Sequence, residues 1–210
     1  MNRVSITNLA LSNLGEAPIQ NLTDDNARAR ISSARIDDVI RSCLRMHDWN
    51  SSMKRIALTN IGVPLFGFNY TFQLPVDYLK MIEVYPISRF RIQSDTLLSN
   101  ETEISILYVA EPTDVNTLDV LLAEAIALKL AVEISETLTG KDGLKDRMFQ
   151  KWMMALQEAR SANSKDKTPE HREDSTFWNA RRREATPIHR TFNYPKTGNA
   201  VLNNFTPPAS

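Results

Sequence analysis

Cysteine is nearly absent from this sequence: Cys43 is the only one in 210 residues. A disulfide within the chain is therefore impossible, and a cysteine-based metal site lacks its ligands. A reducing compartment fits this usage. Histidine is scarce as well. His47, His171 and His189 form no HExxH or other close ligand pair, so ordinary structural and surface roles are expected of them, and no metal or other cofactor is implied. No phosphate loop, dinucleotide fingerprint or GxSxG elbow occurs. No stretch approaches the ~20 apolar residues of a membrane span. The opening MNRVSITNLALSNLG has no continuous apolar run, which argues against a signal peptide. Net charge is missing too. With 25 basic and 25 acidic residues, the whole-chain balance does not point to DNA or an anionic membrane as a partner.

What is present is an ordinary globular composition, 42% hydrophobic and 24% charged, enough for a real core. At roughly 100–200 residues per domain, the length fits one domain or one domain with an insertion. The neutral total hides an asymmetry. Residues 164–210 carry eight Lys/Arg and five Asp/Glu, a net +3, which leaves −3 on residues 1–163. A basic end on an acidic body suggests that the two face different surfaces.

Apolar spacing predicts a helix over 4–14, with Val4, Leu11 and Leu14 on one side and Ile6, Leu9 and Ala10 widening the face. Gly15 stands where a left-handed cap ends a helix. A longer helix is predicted over 24–47, capped by Thr23 or Asp24. Its apolar positions are Ala27, Ile31, Ala34, Ile36, Val39, Ile40, Cys43, Leu44 and Met46, and Trp49 is expected in the core. From about 54 to 110, short runs such as FNYTFQL, LKMIEVYPI and EISILYV, punctuated by Gly and Pro, predict four to six mostly antiparallel strands. Helical spacing returns over 117–138, which ends at Thr139 and Gly140, and over 142–162, with Leu144, Met148, Trp152, Ala155, Leu156 and Ala159 inward. The expected class is α+β. A bundle of about four helices (residues 1–53 and 111–163) carries an inserted small antiparallel β domain (54–110) and an extended C-terminal arm (164–210).

The arm holds five of the ten prolines, yet it also carries Phe177, Trp178, Phe192, Tyr194 and Phe205. Spaced aromatics in a proline-rich stretch suit a segment that orders on a partner. Arg181, Arg182 and Arg183 follow Trp178 closely. A solvated charge cluster is the plain reading. A protein interface is favoured because Trp and Arg are typical anchors. Asp24, Asp25, Asp37 and Asp38 lie beside arginines at helical positions, where solvated ion pairs are the default, and nothing marks a glycosidase pair. Cys43 is expected as a buried thiol rather than a nucleophile.

The segment ALSNLGEAPIQNLTDD, with Leu14, Gly15 and Glu16, resembles the opening of the tail tubular protein A family of phage head-to-tail adaptors. The similarity continues through RMHDWN, with Trp49, and YTFQLPVDYLKMIEVY, with Leu74, Pro75, Asp77 and Tyr78. It is completed by ISILYVAEP and LLAEAIALKLAVEIS, and covers about residues 5–160. The resemblance implies a structural virion protein rather than an enzyme, with no catalytic residues to carry over. It implies a homo-oligomeric ring of about twelve copies, bound to the portal protein and to the tail nozzle or tube. Genomic DNA would pass through the lumen without sequence-specific binding. The implied location is the virion neck, and the host cytoplasm during assembly. Two rival functions are a nucleic-acid-binding module using the basic arm and an accessory cell-wall hydrolase.

Overall fold

A computed structural model describes residues 1–141 and 143–166. Helix α1 (Arg3–Leu14) begins where the Asn2 side chain accepts the Ser5 N–H at 2.7 Å. It ends at Gly15, whose φ of 78° admits the left-handed turn. Gly15 N–H then donates to Ser12 O and Glu16 N–H to Leu11 O. These are the paired bonds of a Schellman stop.

Helix α2 (Ala27–Arg45) starts later than its composition suggests. Its cap is Asn26, which accepts the Ala29 N–H at 2.8 Å, and not Thr23 or Asp24. The Asp24 carboxylate is occupied in the preceding turn, accepting the N–H groups of Gln20 and Asn21. The buried face consists of Ala29, Ser32, Ile36, Val39, Ile40, Cys43 and Leu44. Ala27, Ala34 and Met46, expected on that face, are exposed, because a 3.6-residue period starting from Ala29 carries them to the solvent side.

Helix α3 (Val120–Thr139) is preceded by a 3-10 turn at Val115–Thr117 and capped by Asp119, which accepts from Leu121 and Leu122 N–H. Leu118, expected inside the helix, is buried on the turn before it. Along most of its length α3 is buried on nearly every side and packs against α1, α2 and α4 (Leu144–Lys165). A helix apolar almost all round is stable only at the centre of a bundle. Helix α4 buries Met148, Trp152, Leu156 and Ala159, one stripe at helical spacing, and runs three residues past its expected end at 162.

Between α2 and α3, the chain forms seven strands rather than four to six: β1 (Met53–Ala57), β2 (Asn60–Gly62), β3 (Tyr70–Gln73), β4 (Tyr78–Tyr85), β5 (Phe90–Gln93), β6 (Thr96–Ser99) and β7 (Ser105–Ala110). They make two sheets, ordered β1-β7-β4 and β2-β3-β6-β5, with every pairing antiparallel. A second core of Phe72, Leu74, Val84, Leu97, Ile106 and Tyr108 brings together side chains from both sheets.

The first sheet also serves the bundle. In β7, Ile106, Tyr108 and Ala110 join the β core, whereas Val109 joins the helical core. In β4, the pairing with β7 skips one residue between Tyr78 and Lys80 and another between Met81 and Glu83. The residues at those irregularities, Leu79 and Ile82, are the ones that pack on the helical core. Tyr78, Met81 and Val84 serve the β core instead. Two bulges thus let one strand serve two cores, which strict alternation would not allow at this spacing. The architecture is α+β: among the described residues, four α-helices and two small antiparallel sheets.

Candidate functional site

The residues that carry the family resemblance lie at joints of the fold. Leu14 is buried under the α1 stop, Gly15 makes the turn, and Glu16 lies 3.8 Å from Arg28 of α2. Trp49 is fully buried. Its indole N–H donates to the Cys43 carbonyl at 3.0 Å, and its ring meets His47 edge-on at 4.8 Å. This closes the turn between α2 and β1.

Leu74 is buried in the β core, and Pro75 O accepts the Tyr78 N–H at 3.0 Å. Asp77 is the hub of that corner. Its carboxylate accepts from Lys54 Nζ at 2.7 Å and from the Tyr108 hydroxyl at 2.9 Å, and its carbonyl accepts the Glu111 N–H. Tyr78 stacks on Tyr108 with ring centroids 6.0 Å apart. Partial burial raises the Asp77 pKa, but the bonds from Lys54 and Tyr108 outweigh it and hold the carboxyl below its ordinary value. Burial, then the bond to Asp77, pushes the Tyr108 phenol up to about 12.

A second joint depends on Asn163, which nothing in its sequence context singles out. Its side chain accepts the Asn50 N–H at 2.8 Å, donates to Asp48 O at 3.0 Å, and lies 3.1 Å from His47 Nε2. Asn50 Nδ2 returns a bond to the Asn163 carbonyl. Asp48 in turn pairs with Lys80 of β4 at 2.7 Å. One polar knot therefore ties the last turn of α4, the end of the α2–β1 turn and β4.

Exposed apolar side chains form the other notable feature. Between β2 and β3, the loop GVPLFGF leaves Leu65 fully exposed and Phe66 at 84%. Gly62 and Gly67, with φ of 143° and 90°, bracket its tip. Beneath the loop, Leu98 and Arg91 line a cavity of about 190 Å³. Ile56, Ile61 and Val76 line a separate open groove. On α4, Phe149, Met153 and Met154 are exposed. These surfaces were missed because an apolar run in a sequence reads as core, and only its bracketing glycines hint otherwise.

Among the described residues, no group of three or more His, Cys, Asp or Glu is placed to hold a metal ion, and no helix is long and apolar enough to cross a membrane. Cys43 is buried, and desolvation pushes its thiol up to about 12, which keeps it protonated and unreactive. Asp37 pairs with Arg3 and Asp38 with Arg41. The arm positions Phe177, Trp178, Arg181, Arg182, Arg183, Phe192, Tyr194 and Phe205 lie outside the described residues. Compared with known proteins, the chain matches no protein-family model and no curated relative.

Proposed function

We propose that this chain is a structural virion protein, a head-to-tail adaptor that forms a ring of about twelve copies between the portal and the tail nozzle or tube of a tailed phage. The ring completes the channel through which the genome passes. The protein acts in the virion neck and assembles in the host cytoplasm.

The observation that carries this reading is the placement of the adaptor-like motif residues. Leu14, Gly15, Trp49, Leu74, Pro75 and Asp77 stop helices, close turns and brace a sheet corner. Such a set defines a shape rather than a chemical centre. Large apolar side chains left on the outside, Leu65 and Phe66 foremost, further support a protein that works through contacts with other chains. The −3 charge of residues 1–163 suits the wall of a DNA channel, since a cationic wall would bind phosphate strongly.

Negative-stain imaging of the full chain mixed with its cognate portal protein tests the proposal. A ring capping the portal is expected. A chain that stays monomeric and unbound overturns it. Tight DNA binding that weakens steeply with salt would favour the nucleic-acid reading instead.

A further inference from the structure

Two surfaces of the body are complementary to each other. The first is convex: the β2–β3 loop with Leu65 and Phe66 at its tip. Arginines flank it. Arg91 lines the cavity under the loop, and the Arg89 guanidinium lies 5.9 Å from the centre of the Phe68 ring. Neither arginine forms an ion pair among the described residues. The second surface is concave: an open groove of about 660 Å³ between the start of α3 and the last turns of α4. Leu121, Met154 and Ala162 supply its apolar lining. Glu158 and Asp166 outnumber Lys165 among its charges. Glu124, one turn on from Leu121, is exposed as well.

Knob and groove lie on different elements of one chain. Association through two unlike patches is either reciprocal within a closed two-fold pair or head-to-tail, where each copy that fills a neighbour's groove leaves its own groove for the next. Such contacts close into a ring when the rotation between copies allows it. A two-fold contact centred on the loop itself would instead set Arg89 and Arg91 against their own copies, which like-charge repulsion disfavours. The opposite charge signs, Arg89 and Arg91 beside the loop and Glu158 and Asp166 in the groove, favour a second copy of this chain as the occupant.

We propose that the β2–β3 loop of one copy, led by Leu65 and Phe66, seats in the α3–α4 groove of a second copy, with Arg89 and Arg91 facing its Glu158 and Asp166. This rests on the ring reading above and names the contact that builds the ring.

Cysteine pairing tests it. Full-length chain carrying Leu65→Cys is mixed with full-length chain carrying Met154→Cys and oxidised, both under self-associating conditions and on the portal. Both sites are exposed, so folding is not at risk, and Cys43 is buried and does not compete. A disulfide-linked pair that needs both variants is expected. Linkage of Leu65→Cys to itself indicates a symmetric contact and overturns the proposal. A ring on the portal without the mixed link overturns this contact while leaving the adaptor reading intact. Absence of any oligomer or portal complex overturns both. As a second arm, Arg89→Glu with Arg91→Glu weakens self-association about tenfold or more. Glu158→Arg with Asp166→Arg in the same chain restores it, and failure to restore it overturns the charge pairing.

Discussion

The helical bundle and the β unit treat apolar residues in opposite ways. In the bundle they go inward: α3 is buried on nearly every side, and among α1 to α3 few large apolar residues remain exposed. The β unit has a smaller core and leaves Val63, Leu65, Phe66, Val76 and Ile87 largely exposed. Burial of apolar area is the main source of folding free energy, whereas exposed apolar area is available for association. Stability thus rests on the buried faces of the bundle, whereas contact-making draws on the exposed loop of the β unit and on the outer side of α4, and mutations should separate the two.

The largest expected effect is in the bundle. Trp49→Ala removes a fully buried ring and its bond to the Cys43 carbonyl, and should cost about 3–5 kcal/mol. Urea denaturation of the full chain measures it. A loss under about 1 kcal/mol would mean that the α2–β1 turn is not a keystone.

Phe72→Ala empties the centre of the β core and should cost about 3 kcal/mol. Its signature is local. Amide exchange should accelerate in β3 and β6 while α3 keeps its protection. Equal acceleration in α3 would show that the two cores unfold as one, a real alternative given the double duty of β4.

A smaller effect attaches to Asp77. Its carboxyl titrates below its ordinary value in the folded state, so the stability it adds is present above the unfolded pKa and is lost as pH falls through the folded one. Asp77→Asn should remove that part of the acid slope and cost about 1 kcal/mol near neutrality. Denaturation midpoints of the two proteins should converge toward acid pH, and parallel curves would assign the slope elsewhere.

The smallest effect on stability sharpens the comparison most. Leu65→Ser should leave the denaturation midpoint within about 0.5 kcal/mol of the parent, because the side chain is fully exposed. Sedimentation at raised concentration, or portal binding, should nevertheless be weakened. A destabilised monomer would place the loop in the fold rather than in the contact.

The bundle was largely legible in the sequence. Four helices follow from apolar spacing, and the α1 stop follows from Gly15 alone, since only that turn needs a positive φ there. The start of α2 was not legible, because Thr23, Asp24, Asp25 and Asn26 are all chemically able to cap. The choice is made by tertiary structure, through the turn that takes up Asp24 and the core that begins at Ala29. The strand tally fell short because β2 spans only three residues. Of the candidate interface, the arm reading concerns residues outside those described. The exposed loop and the Asn163 knot went unread because both depend on neighbours more than thirty residues away or on the lack of any.

The Asn163 knot has a mechanical consequence. Asn163 lies in the last turn of α4, three residues before Asp166. Tension applied to the last turn of α4 bears on the Asn163–Asn50 and Asn163–Asp48 bonds. Those bonds hand the load to the turn that opens the β unit and, through Asp48 and Lys80, to β4. A pull at one end of the body would therefore be felt first at the root of the β sandwich.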